Sequence, residues 1–127
     1  MKARRGDGGQ ATVELALVLP VFVMLLLLLV QVAVLVRDQV MVIHAAREGA
    51  RAAAVTGANA NAAEKAALAA AGLPLRSTDV VTTPPGTKHD LVRVQVQYTD
   101  STDIPLIGRL LGDVRVTGTV SMRVEPG

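Results

Sequence analysis

From Leu15 to Val36 the chain carries 22 consecutive residues without a formal charge, LALVLPVFVMLLLLLVQVAVLV. As a helix rising 1.5 Å per residue, such a run is about 33 Å long, enough to cross a hydrocarbon core of about 30 Å. The pattern predicts a transmembrane helix. Lys2, Arg4 and Arg5 precede it, and the neutral pair Arg37 and Asp38 follows. The positive-inside bias then keeps the N-terminus in the cytoplasm and sends the remainder outward, as a single-pass protein of the cytoplasmic membrane. A cleaved secretory signal is the competing reading. Its apolar region, however, runs roughly 7 to 15 residues and ends at a small-residue cleavage site, which LVRDQV does not supply. Two residues interrupt the apolar run. Pro20 removes one backbone donor and introduces a kink, while Gln31 is uncharged and able to bond a neighbouring helix.

Helical spacing persists beyond the run. Val36, Val40, Ile43, Arg47, Ala50 and Ala54 form one stripe; Arg37, Met41, His44, Glu48 and Arg51 form another. Read to Val55, the helix covers about 42 residues from Glu14, roughly 63 Å at helical rise. Gly49 inside it costs about 1 kcal/mol relative to Ala, which is consistent either with close approach of another backbone or with simple tolerance. Thr56 and Gly57 break the pattern. Asn61 with Glu64 then reads as a capping box opening a short helix over 61–71, ended by Gly72 and Pro74, with Ala63, Ala66, Ala67 and Ala70 on one face. STDVVTT, DLVRVQVQYTD and DVRVTGTVSMRVE follow. The last two alternate: Val92, Val94, Val96 and Tyr98 on one face, and Val114, Val116, Val120, Met122 and Val124 on the matching face of the next strand. Such strands form an antiparallel sheet with one face in water and the outer half of the long helix as its cover. TPPGTKHD supplies the first turn. The longer connection before the last strand carries Leu106, Ile107, Leu110 and Leu111, expected to cap the core, with contact to membrane or a partner as the alternative. The expected fold is α+β and pilin-like: a leader over 1–9, the N-terminal motif and transmembrane helix over 10–36, and an exported domain over 37–127. Within that domain a helical continuation covers 37–55 and a sheet of about three strands covers 78–124.

Composition narrows the functional classes. The chain has 127 residues, no Cys, and aromatics limited to Phe22 and Tyr98. Disulfides and thiolate chemistry are therefore excluded, and neither a base-stacking platform nor an aromatic-lined small-molecule pocket is available. The net charge of +2 comes from the leader, because from Gln10 onward ten basic residues meet ten acidic ones. No basic face is left for nucleic acid. His44 and His89 lack partners at metal-ligand spacing, so no metal or cofactor is expected. No nucleophile with a base, no phosphate-cradling loop and no carboxylate pair points to catalysis.

Glu14 stands at the threshold of the apolar run. In the first turn of a helix at the headgroup level, a carboxylate complements the helix dipole and reaches water at little cost. Its context adds a second reading. A basic leader ending in Gly8 and Gly9, then Gln10 to Glu14, then the apolar run, resembles the processing signal of type IV pilin-like proteins. The resemblance implies cleavage after Gly9 by a membrane prepilin peptidase. Such a cut creates an α-ammonium on Gln10, four residues from Glu14. An unpaired carboxylate in low dielectric is costly, and an ammonium on a neighbouring subunit offsets much of that cost. Head-to-tail pairing of this kind is heterologous and generates open helical assemblies.

The resemblance sharpens when GQATVELALVLP, Gly9 to Pro20, is taken together with AAREGAR, Ala45 to Arg51. Both are similar to segments of the TadE-like family, minor pseudopilins of tight-adherence (Flp-type) pilus systems, and GTVSMRVE resembles that family's closing strand. The resemblance implies export, peptidase processing at Gly9 and Gln10, an assembly role for Glu14, and helix packing through Pro20, Arg47, Gly49 and Arg51. It also implies other pilin or pseudopilin subunits and an assembly platform as partners of the pilus or secretion filament. The polar Gln10 departs from the apolar residue with which major pilins usually begin. The alternative is a membrane-tethered extracytoplasmic interaction domain that no prepilin peptidase processes, with Glu14 and Gly9 incidental.

Overall fold

The computed structural model describes residues 7–86, 90–100 and 112–124, with Asp7 and Gly8 described by backbone alone. Helix α1 spans Asp7–Val55, 49 residues, and includes Pro20 within its helical stretch. It begins a full seven positions before Glu14, so the Gly8–Gly9–Gln10 segment is already helical. A turn at Gly57 and Ala58, both with positive φ (67° and 65°), reverses the chain into helix α2, Ala60–Ala71. The cap of α2 differs from the expected capping box. Asn59 is the N-cap, and its Oδ1 accepts from the backbone N–H groups of Asn61 at 3.0 Å and Ala62 at 3.2 Å. An Asx side chain one residue outside the helix satisfies two orphan donors, so Asn61 is left free to be the second helical residue. Gly72 closes α2 in the left-handed conformation, as expected of a glycine after the last helical turn.

A 3-10 turn, Leu75–Ser77, leads into β1, Thr78–Thr83; β2, Leu91–Asp100, and β3, Val114–Arg123, complete the chain. The sheet is an antiparallel meander in the order β1-β2-β3. Val80 faces Val96 across the first pair, and Val96 faces Gly118 across the second. The expected alternation holds. Val92, Val94 and Val96 are fully buried and Tyr98 nearly so, whereas Arg93, Arg115, Thr117, Thr119, Ser121 and Arg123 are exposed. The outer half of α1 covers the sheet, and α2 packs on α1 beside β1. The fold is the α+β, pilin-like arrangement expected from the pattern. Leu106, Ile107, Leu110 and Leu111, expected to cap the core, lie outside the described residues.

The buried face of α1 coincides with neither helical stripe. Val36, Val40 and Arg47 are exposed and Ile43 sits at the margin; of that stripe only Ala50 and Ala54 are buried. The covered face instead runs through Gln31, Asp38, Val42, Ala45, Gly49 and Ala53. The reason is distance. The core's largest fully buried side chains are valines, and its α1 and α2 contributions are almost all alanines, so helices and sheet approach until backbones nearly touch. A β-carbon built on Gly49 would lie 3.0 Å from the Ala63 carbonyl oxygen and 3.0 Å from Ala67 Cβ. One on Gly118 would lie 3.0 Å from the Val42 and Ile43 backbone. Bulky residues on α1 are therefore left outward and small ones face the sheet. Gln39 Nε2 adds a polar tie, donating to the Thr117 carbonyl at 3.2 Å.

These contacts predict that Gly118→Val destabilises the domain by about 1 to 3 kcal/mol, because a fixed helix backbone cannot give way to the added atoms. Gly49→Leu is expected to do the same, outweighing the gain in helix propensity. Protease resistance of the full chain against urea measures both, and unchanged midpoints would refute the close-packing account.

Candidate assembly and membrane-exit sites

Two regions of α1 carry chemistry. At its start, Gly9, Gln10, Val13, Glu14 and Leu17 share one helix face and line a shallow, largely open concavity. Every residue from Gly9 to Leu26 is exposed. Among the described residues no hydrogen bond or ion pair of this chain engages Glu14. The α+β domain lies at the other end of the helix, so Glu14, Gly9 and Gln10 are presented outward together. Pro20 is exposed within the same stretch.

Of the residues expected in helix packing, Gly49 is buried between α2 and β2, with the distances given above. Arg47 and Arg51 are exposed on the outer side of α1, as is His44. His89 lies outside the described residues. Among the described residues, no group of three or more His, Asp or Glu side chains is placed to hold a metal ion.

Where α1 leaves the apolar run, the covered face becomes polar. Gln31 is 2 % exposed and its Nε2 has no hydrogen-bond acceptor, while Asp38, two turns on, is 4 % exposed. Asp38 meets the end of β2. Burial, reinforced by the charge of Asp100 and opposed by Arg37, raises the Asp38 carboxyl above its ordinary value of 3.8. Burial likewise raises the Tyr98 hydroxyl above 10.0, with the charges of Asp100 and Asp38 and a hydrogen bond to Asp100 acting in the same direction. Sequence reasoning did not pick out this group. Its signal is the phase of Asp38, which shares the helical stripe of Val42, Ala45 and Gly49, together with the position of Tyr98 on the covered face of β2.

An N-terminal helix long and apolar enough to cross a membrane, carrying a small α+β domain at its far end, is a pilin-like arrangement. More specifically, the family model described as TadE-like protein matches residues 9–51, the stretch that holds Gly9, Glu14, the apolar run and Arg51. This bears out the resemblance read from GQATVELALVLP and AAREGAR, and it places the likeness entirely on α1. The family is associated with tight-adherence pilus systems and is typically structural rather than enzymatic. No curated protein and no solved structure gives a match.

The raised Asp38 carboxyl fixes the sign of a pH effect. Between 3.8 and its higher folded value, the folded state holds more protons than the unfolded state, so this group's contribution makes stability fall as pH rises through that window. Asp38→Asn removes the contribution. The variant is expected to be more stable than the native chain at neutral pH, with the difference shrinking as pH falls toward 3.8. Urea unfolding of the two chains across that range measures it; a difference that does not change with pH would refute the assignment.

Proposed function

We propose that the chain is a minor pseudopilin that takes part in assembling a tight-adherence, type IV-like pilus or secretion filament. In this reading the N-terminus is cytoplasmic and the domain over 37–127 extracytoplasmic. A prepilin peptidase cuts after Gly9, and the mature chain begins at Gln10. The observation that carries the reading is the placement of Glu14. It stands five residues after Gly9 on a helix face that the rest of the described chain leaves uncovered, at the edge of an uncharged run of 22 residues.

The mechanism follows from electrostatics. Cleavage leaves a cation on Gln10 and an anion on Glu14 at nearly one depth, where water is scarce and an isolated charge is expensive. A neighbouring subunit shifted along the axis brings its ammonium to this carboxylate, and each addition recreates the same unsatisfied pair for the next. The exposed helix face supplies the apolar contact around that pair. The match to a TadE-like family model over 9–51 supports this reading over that of an unprocessed tether, for which nothing would require Gly9 and Glu14 at their spacing.

Glu14→Ala and Glu14→Gln are expected to be inserted and cleaved normally yet to enter the assembly at a level lower by about tenfold or more, since about 1.4 kcal/mol of lost pairing already gives that factor. Intact mass of the membrane-extracted chain reads the cleavage, and co-purification with the pilus or its platform reads the incorporation. Normal incorporation of both variants sinks the assembly role, and a chain that retains residues 1–9 in functioning cells sinks the processing.

A further inference from the structure

We propose that the membrane-proximal end of the domain is a phospholipid-binding surface, with Leu75 and Arg76 of the 3-10 turn seated in the headgroup layer. The inference rests on the reading that α1 crosses the bilayer, and is independent of any role in a pilus.

The geometry of the fold places this end close to lipid. Helix α2 runs back along α1: Ala63 and Ala67 approach Gly49, and Gly72, at the end of α2, lies level with Met41, whose Cε would be 3.2 Å from a β-carbon there. The 3-10 turn follows directly, and Thr78 at its end hydrogen-bonds back to the Pro74 carbonyl at 3.0 Å. Thr78 pairs with Tyr98, the residue whose hydroxyl senses the Asp38 carboxylate. The turn is therefore held at the level of residues 38 to 41 on α1. Val36, the last residue of the apolar run, is five residues below Met41, or about 7 to 8 Å along the helix. A headgroup layer is itself roughly 5 to 8 Å thick on each side of the hydrocarbon. A turn anchored at that height touches the layer.

Two further observations point the same way. The domain's cover reaches the end of the apolar run, where Leu35 packs against the core cluster. Elsewhere on α1, exposed apolar side chains continue through Val36 at 58 %, the last residue of the run, to Val40 at 62 % beyond it. A bilayer whose edge lay much lower would leave these in water. The turn itself has the composition of an interfacial contact. Leu75 is 65 % exposed despite its size, next to an exposed Arg76, and Arg37 is exposed on α1 at the same level. A leucine entering among acyl-chain ends beside a guanidinium on phosphate oxygens is how amphipathic surfaces hold a membrane. Asp79, Asp100 and Asp113 flank the same end, so the attraction is to the phosphate and glycerol region and does not depend on a surplus of anionic lipid.

The chain has no cysteine, so single-cysteine labelling reads the contact directly. Full-length chains with Leu75→Cys, Val55→Cys or Leu26→Cys, each carrying an environment-sensitive fluorophore, are placed one per nanodisc of phosphatidylcholine with nitroxide either on the headgroup or in the acyl chain. Val55 lies at the distal end of α1 and is 67 % exposed. The label at 75 is expected to be quenched by headgroup nitroxide about twofold or more beyond the label at 55, as a group within the interfacial layer must be. Arg76→Glu is expected to bring the quenching at 75 back toward that at 55. Equal quenching at 75 and 55, with position 26 quenched by acyl-chain nitroxide, overturns the proposal while leaving the membrane span intact. Absence of acyl-chain quenching at 26 overturns the span, and this inference with it.

Discussion

A single rod serves two solvents. From Leu15 to Val30 α1 is uncharged and largely exposed, suited to lipid or to other apolar helices, while its outer half supplies the backbone-close surface on which α2 and the sheet are laid. Every other element depends on that second half. Hydrogen bonding within each element is self-sufficient, but a three-stranded sheet and a twelve-residue helix of mostly alanine bury too little on their own to stay ordered. They acquire a core by sharing one face of α1.

The common face works because it is small-sided. Ala45, Ala46, Gly49, Ala50 and Ala53 present almost no side-chain relief, and Gly118 on β3 meets α1 with none at all. Dispersion between close backbones then replaces the bulk that Leu and Phe supply in most cores. The same economy of volume leaves valine, with few rotamers to lose, as the principal side chain of the sheet's inner face.

Much of this was legible in the sequence. The apolar run, the length of α1, the alternation of β2 and β3 and the stop at Gly72 each rest on a local periodicity or on one residue's backbone preference. What escaped depended on the third dimension. Val36, Val40 and Ile43 mark a helical periodicity without saying which face turns inward, and the sheet selected the face on which backbones could meet. Asn59 escaped as the N-cap because Asn61 and Glu64 offered a familiar spacing, and the choice between neighbouring asparagines is settled by where the chain emerges from the Gly57–Ala58 reversal. The Asp38, Tyr98 and Asp100 group joins residues 60 positions apart, and nothing local announces it. The residues of the N-terminal site, by contrast, lie within six positions of one another, so their arrangement was readable once the helix was granted.

The tie between Gln39 and the Thr117 carbonyl bears on how such molecules live at high density. β3 is a ten-residue border of the sheet, long enough to recruit another extended chain by backbone pairing. With one of its carbonyls already engaged by an amide from α1, a visiting strand meets a blocked rung partway along. Sheet-to-sheet pairing of two copies along this border would be interrupted at that rung.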